Sequence, residues 1–462
     1  MSGLLRGARM DGLLKPLLKT ARTATRIVAA SNADAKSKAE ADDVCTGTDD
    51  QVKIQAAINS LPVSGGIVQL SEGTFFLTAS IVIERDWVTL QGVGESEYVF
   101  YNERGRGLTQ IYSGLSIGLL RVLPPAGAQR VGIMLKDIAF IGNDVNNGKA
   151  GIYLEEVDVC RLEDIRVEAC QYGVQVIKGW AIFVTNSLFI LNNIGFYIEN
   201  GYEQGHHAFV NTHFSHNYSY GLWANNVKHC QVIGGMTINS PGSAEAAIYL
   251  EACWQWVFLG HQVYSWGGHG FRLGGHHNTL IGCASRGNKK HGYMVLGDYN
   301  RLIGCFALEN DADETSSYDG VFICGNGNTV QSCVLGDNDR YNLYQEGVDV
   351  INNMIMGNHF EGTKQVAHLN LDNPTKQMVK HNFGYITENS GTATVASGST
   401  TVVVNHGLAA TPTRVLLTAR LWSSANKAWV TGIGATQFTI NVDADPGAGT
   451  AIFDWKAQVG EG

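Results

Sequence analysis

The sequence predicts an all-β protein: a right-handed, three-sided parallel β-helix with an N-terminal capping helix and a small C-terminal β-sandwich. Three observations lead there. Short β-type runs, most of them opened by glycine, recur through the middle of the chain. They read GIYL (Gly151), GVQV (Gly173), GFYI (Gly195), GLWA (Gly221), AIYL (Ala247), GFRL (Gly270), GYMV (Gly292), GVFI (Gly320) and NLYQ (Asn342), spaced by 22 to 28 residues. Helical repeats run ~33–47 residues with a 3.6-residue period, and neither is present. Each unit instead holds short alternating runs separated by Gly, Asn and Asp, the pattern of strands joined by tight turns. The second observation is a coincident register: Asn278, Asn300 and Asn328, then Cys283, Cys305 and Cys333, then Asn288, Asn310 and Asn338 stand at fixed offsets from the opening glycines. Stacked coils repeat every ~4.8 Å, so equivalent residues form ladders, apolar ones inside and Asn at turns. The third is composition. Charged residues are 16%, against ~25% for average soluble domains, while Gly numbers 55 and Pro only 8 among 462 residues.

At the N-terminus, residues 1–26 carry six Lys/Arg against one Asp, with paired leucines. Lys15, Pro16 and Lys19 interrupt every candidate apolar core of a signal peptide, and no run approaches the ~20 apolar residues of a membrane-spanning helix. Residues 1–40 are therefore expected to be a docking segment, with a disordered tail as the alternative. Residues 41–385 are assigned to the β-helix and 386–462 to a C-terminal module. Within the first of these, DDQVKIQAAINSL reads as an amphipathic helix with Asp49 or Asp50 as N-cap and Ile54, Ala57, Ile58 and Leu61 on one face. It is expected to cover the open end of the solenoid, where unpaired strand edges need protection. Strands of the first coils follow from Ile67.

The run from Asp49 to Gly94 resembles the opening segment of the pectate-lyase-like superfamily, found in phage tailspikes and polysaccharide-active enzymes. The matching residues are Asp49, Asp50, Ile54, Gln55, Ala57, Ile58, Gly65, Gly66, Leu70, Gly73, Thr74, Leu90 and Gly92. The resemblance implies a fold and a polysaccharide ligand class; it does not carry a reaction. The polygalacturonase branch has NTD, DD, GHG and RIK motifs on successive coils. Here only GGHGF around His269 answers to the third, with no paired Asp before it and no RIK after it, and His269 is read as a turn histidine. The R-x-P-x-x-R pattern of calcium-dependent pectate lyases is absent as well.

Candidate chemistry gathers at the turn after the first strand of each coil. Registering the coils stacks Asp158, Trp180, the insertion containing Glu203, His206 and His207, then Lys228 and His229, Trp254 and Trp256, His276 and His277, and finally Asp298 and Tyr299. Ten of the fourteen His lie between residues 206 and 291. Aromatic faces flanked by hydrogen-bonding side chains suit pyranose rings, so Trp180, His206, His207, Lys228, His229, Trp254, Trp256, His276 and Tyr299 are the expected substrate-binding set. The alternative is an ordinary solvated turn edge with some Trp turned inward. If there is catalysis, Glu203, Asp298 and His277 are the candidates. Glu203 and Asp298 stand some four coils apart, roughly 19 Å, too far for one acid/base pair. Each needs another partner, Asp158 or Glu199 for the first, Glu346 or a neighbouring subunit for the second.

No cofactor is expected. The acidic loop at residues 311–319 lacks the glycine and spacing of an EF-hand, which leaves Ca²⁺ unsupported and a solvated loop neutralised by Lys289, Lys290 and Arg340 as its reading. The His show neither HxH nor HExxH spacing for a metal. The nine Cys lack CxxC spacing and sit in apolar runs, which fits buried free thiols. After residue 385, ITENSG reads as a linker. TATVAS, TTVVVNHG, RVLLTARL, KAWVTGI, QFTINVD and AIFDWKAQV follow as strands of a sandwich, similar to small C-terminal domains of phage tail fibres that trimerise or bind sugar. A net charge of −9 excludes a general nucleic-acid binder.

The order of parts leads to a tailspike- or fibre-like protein of the virion or extracellular space. It would be a homotrimer that binds, and in one version depolymerises, a cell-surface polysaccharide, without inserting in a membrane. A microbial polysaccharide lyase, hydrolase or epimerase with a carbohydrate-binding module, and a non-catalytic adhesive solenoid, are the alternatives.

Overall fold

The computed structural model describes residues 25–94, 108–124, 128–199, 205–240, 244–363, 367–421 and 427–459. The chain divides into two compact units, Met1–His213 and Phe214–Gly462. Both contain coils of a parallel β-helix. Among the described residues no helix is long and apolar enough to cross a membrane.

In unit 1 the opening runs form a parallel sheet in which Ile81, Leu120, Ile152, Val174 and Phe196 share one register line. A second sheet aligns Val68, Leu90, Leu135, Leu162, Val184 and Phe209. Every one of these side chains is fully buried. Alternation along each strand sends them inward together, and the parallel register repeats the choice on the next coil. The amphipathic helix spans Gln51–Ser60 and buries Ile54, Ala57 and Ile58. Its Gln55 closes the sheet edge directly: the side-chain amide donates to Val82 O at 2.8 Å and accepts from Val82 N at 2.9 Å. An edge strand that would template another chain is thereby satisfied. Asp50 sits at the N-cap position, yet its carboxylate accepts from Gly47 N and Phe76 N and makes no cap bond to the helix. Of the expected docking segment, residues 1–24 lie outside the described residues. The remainder joins the fold: strand Thr25–Ala29 pairs with Gly66–Leu70, and a short helix spans Ala35–Glu40. With only five residues and no repeat partner, that strand offered no periodic signal.

Unit 2 has three strands per coil. The opening sheet stacks Leu222, Ile248, Phe271, Tyr293, Val321, Leu343 and Leu369. The second sheet stacks Val232, Phe258, Leu280, Leu302, Val330, Ile355 and Val379. The third aligns Thr237, Val263, Ser285, Ala307, Leu335 and Phe360. The corner between second and third sheets needs a single left-handed residue. Gly234, Gly260, Gly282, Gly304 and Gly357 supply it at φ 60–66°. A Cβ on Gly282 would meet open space, so the backbone angle selects glycine there. At Gly292 the reason is room, since a Cβ would stand 2.6 Å from both Gly320 O and the Asn310 amide.

The asparagines expected at turns are wholly internal. Asn278, Asn300 and Asn328 are at most 1% exposed, as are Asn288, Asn310 and Asn338. Asn300 Oδ1 accepts from both the backbone N and the amide of Asn278, each at 3.0 Å, and Asn300 Nδ2 donates to Gly275 O at 2.9 Å. Asn328 Oδ1 in turn accepts from Asn300 N at 2.7 Å. The second ladder repeats this through Asn310 and Asn338. The cysteines are free thiols, all buried except the half-buried Cys324. Cys283, Cys305 and Cys333 form their own inner column, with Cys305 N donating to Cys333 Sγ at 3.4 Å.

Beyond the coils, unit 2 ends in two three-stranded antiparallel sheets. Glu388–Val395, Ala451–Gln458 and Arg414–Leu421 make one, Thr401–Asn405, Gln437–Val442 and Ala428–Thr431 the other. Val395, Phe438, Ile440, Phe453 and Trp455 pack between them, with the Phe438 and Trp455 rings 5.5 Å apart. The expected linker ITENSG is largely strand, because Glu388–Val395 pairs along its whole length with the last strand.

Replacing Asn300 by Ala strips Asn278 of its acceptor and Gly275 O of its donor inside the core. We expect a loss of about 3 kcal/mol in unfolding free energy, measured by urea denaturation followed by far-UV circular dichroism. A loss below about 1 kcal/mol would mean that the ladder is dispensable.

Candidate functional site

The expected stripe is best followed within each unit. In unit 1, Trp180 is 40% exposed and meets the His206 ring edge-on at 6.1 Å. His206 takes the left-handed corner of its turn, φ 64°. His207 turns inward instead: it is 1% exposed, accepts from Ile182 N at 3.2 Å, and burial pushes its imidazole down to about 3. It is a core residue and is withdrawn from the binding set. Asp158 pairs in register with Trp180, burial raises its carboxyl, and its Oδ1 is buried without a hydrogen-bond partner. Glu199 accepts from Tyr197 at 2.9 Å. Glu203 lies outside the described residues.

In unit 2 the turn brings most of the expected residues together. Lys228, Trp254 and His276 are successive bridge partners, and the Lys228 ammonium stands 4.2 Å from the Trp254 ring centroid. His276 meets Trp254 edge-on at 6.4 Å and accepts from Asp298 N at 3.2 Å. His277 stacks on Tyr299 at 5.1 Å, and Tyr299 lies against Gly327, where a Cβ would approach the ring to 2.6 Å. Trp254 and Tyr299 are 46% and 54% exposed, and His229 is exposed beside them. Trp256 is the exception. It is fully buried and donates to Val227 O at 3.0 Å, so it belongs to the core. Asp298 is committed to the turn, its Oδ1 accepting from Asn326 N at 2.7 Å. His277 touches it only through the backbone, at 3.1 Å. These two do not form an acid/base pair.

A second surface, which the sequence reading passed over, lies on the outer face of the opening sheet in unit 2. The third residue of each opening run points outward, and the register aligns Trp223, Tyr249, Arg272, Met294, Phe322 and Tyr344 in one row. Trp223 and Tyr249 stack at 6.0 Å, Tyr220 and Tyr249 at 5.7 Å, and the Arg272 guanidinium lies 4.6 Å over Tyr249. Trp223 Nε1 donates to Glu251 at 3.1 Å. Arg272 Nε is buried with no partner. Such a platform offers ring faces for stacking and a directed cation, the two things a glycan or acidic ligand needs.

Beside this row stand the histidines. His269, expected in a turn, begins a strand and is 8% exposed, stacked 5.2 Å from His291. His291 stacks on Phe322 at 4.7 Å, and Tyr318 meets both imidazoles edge-on, at 6.1 and 5.1 Å. His291 Nδ1 accepts from Asp319 N at 2.9 Å, while His269 Nδ1 is buried without a partner. Burial first, then the charges of His291, Lys290 and Arg272, pushes His269 down to about 2. It is a neutral imidazole at all working pH values, a hydrogen-bonding group and a weak base. Arg340 forks Asp319 at 2.8 and 2.5 Å and covers Tyr344 at 4.8 Å. The acidic loop is held by its own Asp311, which is fully buried and accepts from Thr315, Ser317 and Tyr318. Lys289 pairs with Asp313 at 3.1 Å, as expected, whereas Lys290 reaches Glu245 at 3.9 Å.

No known protein family matches the chain, and no curated protein matches it in sequence. Solved structures do share its fold. The A-module of the Azotobacter vinelandii mannuronan C-5 epimerase AlgE6 aligns with a TM-score of 0.60 at 16% identity, over 73% of this chain and 96% of that one. The Dettilon tailspike protein aligns at 0.53 and 12% identity, over 88% and 90%. The DFA-IIIase of Arthrobacter chlorophenolicus A6 aligns at 0.53 and 11% identity, over 75% and 86%. At these identities the likeness is one of fold, the parallel β-helix.

His269 has a pH consequence. Its folded value lies far below the unfolded 6.5, so its neutral burial favours the fold above about pH 6.5 and that contribution is lost as pH falls toward 2. Between pH 6.5 and 4.5 this amounts to about 2–3 kcal/mol. His269→Gln should reduce the acid-induced loss of stability by that amount when urea unfolding is compared at the two pH values.

Proposed function

We propose that this chain is a tailspike- or fibre-like protein that binds a cell-surface polysaccharide on the outer face of the opening sheet in unit 2. The observation that carries the reading is the Trp223, Tyr249, Arg272 row, together with the two buried polar atoms left without partners beside it, His269 Nδ1 and Arg272 Nε. A buried donor or acceptor without a partner costs free energy, and ligand hydroxyl or carboxylate groups would satisfy both. The turn wall of Lys228, His229, Trp254, His276 and Tyr299, and Trp180 with His206 in unit 1, are proposed as further sugar contacts. One protein of the same fold supports the ligand class by name, an epimerase of mannuronan, a polysaccharide, and another, a tailspike, supports the kind of protein. A homotrimer held through the C-terminal module, docking through the N-terminal segment, and a virion or extracellular location belong to the same proposal.

A second reading, a polysaccharide lyase or epimerase, is favoured by one arrangement. His269 and Tyr318 meet edge-on beside Arg272 and Lys290, which sets proton-transfer groups next to cations able to neutralise a sugar carboxylate. The depressed His269 argues for recognition first.

Binding to a panel of bacterial surface and uronic-acid polysaccharides, with product followed as reducing ends and as absorbance near ~235 nm from eliminated uronates, tests both readings. Trp223→Ala and Arg272→Gln should each weaken binding at least about tenfold, with Trp254→Ala and Tyr299→Ala having smaller effects. The reverse ranking would move the site to the turn wall. Product formation lost in His269→Gln with binding retained would make the protein an enzyme; binding without product would leave a recognition fibre.

A further inference from the structure

Unit 1 holds a cleft of its own, apart from the aromatic row of unit 2. It encloses about 340 Å³ over the outer face of its opening sheet, rimmed by residues 116–118 and 148–150. Its floor is the outward row of that sheet, in which Arg121, Tyr153 and Gln175 share one register line. The Arg121 guanidinium lies 5.6 Å from the Tyr153 ring centroid, an arrangement that fixes the plane and leaves its N–H edge free to fork an anion. Lys149 stands on the rim. Among the described residues neither cation has a carboxylate partner, whereas Lys136, Arg166 and Lys178 in the same unit are each paired. Burial first, then the charge of Glu155 on the same strand, raises the Tyr153 hydroxyl. Two unpaired cations in one concavity of a chain with net charge −9 mark a place built for negative charge. The volume is near the lower end of the ~300–1,000 Å³ of small-molecule sites, enough for one sugar ring and not for an extended oligomer. Ser116 and Gln175 add uncharged hydrogen-bonding groups to the lining.

We propose that this cleft binds a single acidic sugar residue, its carboxylate held by Arg121 and Lys149 and its hydroxyls by Ser116 and Gln175. That the carboxylate is carried on a sugar rests on the polysaccharide reading; that the cleft takes a carboxylate does not.

The test is a ligand-observed NMR titration of the full chain with D-glucuronate, D-glucose and acetate. Glucuronate should bind at least about tenfold more tightly than either control, as expected for a charge-assisted pair plus hydroxyl contacts, and should weaken with added salt. Arg121→Gln and Lys149→Gln should each lower that affinity several-fold. Lys149 is exposed on a loop, so its variant keeps the test informative if Arg121→Gln folds poorly. Equal binding of glucose, or no effect of either cleft variant, overturns the site. Equal binding of acetate overturns the sugar, and loss of glucuronate binding in Arg272→Gln moves the acid site to unit 2. Silence of the polysaccharide panel with glucuronate still bound would sink the polysaccharide reading alone.

Discussion

The buried asparagine ladder is the constraint on which the coils of unit 2 depend. A coil that turns three times within 22 to 28 residues brings backbone N–H groups into its own core, where water cannot reach them. Each such group left without a partner costs ~1–3 kcal/mol. Asn solves this with one side chain: Asn300 accepts from Asn278 on the preceding coil and donates to Gly275 O. Gln377 continues the same column where it accepts from Asn353 N at 2.9 Å. No apolar side chain offers both a donor and an acceptor at that depth, and the ladder ties each coil to the register of its neighbours.

With the interior so committed, variation is confined to residues that point outward. Apart from the buried Gln345, the inner members of the opening runs are aliphatic or aromatic core in both units. The outer member is free of that duty, and it changes from Arg121, Tyr153 and Gln175 in unit 1 to Trp223, Tyr249 and Arg272 in unit 2. A solenoid presents such residues as a straight row at the coil spacing of ~4.8 Å, comparable to the repeat of a sugar chain. Charge and aromaticity there alter binding without disturbing the core, because alternation separates the two faces.

The histidines illustrate how burial decides role. His207 and His269 are both pushed down by desolvation, to about 3 and about 2. Yet His207 has Ile182 N as a partner while His269 Nδ1 has none. The first completes a turn. The second is a buried acceptor or donor facing a platform, and Arg340, by holding Asp319, keeps the neighbouring His291 in place for it.

The sequence by itself determined the repeat, the parallel β-helix, the registered Asn and Cys columns, the capping helix and the six strands of the terminal sandwich, though it set the Asn at turns where the structure buries them in the core. All of these rest on periodicity, which survives in one dimension because each coil repeats the environment of the last. It also brought Lys228, Trp254, His276, His277 and Tyr299 to one wall. Only the tertiary structure decided which side of the chain each residue faces near a corner. One left-handed residue, Gln255 at φ 56°, reverses the alternation between Trp254 and Trp256, and so Trp256 turns inward while Trp254 turns out. The outer row was written in the third letter of every opening run. It stayed unread because an outward Trp or Tyr in a strand looks like core until the neighbouring coils show which face is already full. Strand Thr25–Ala29 was hidden for the opposite reason: it repeats nothing, and its pairing with Gly66–Leu70 exists only once the chain has closed on itself.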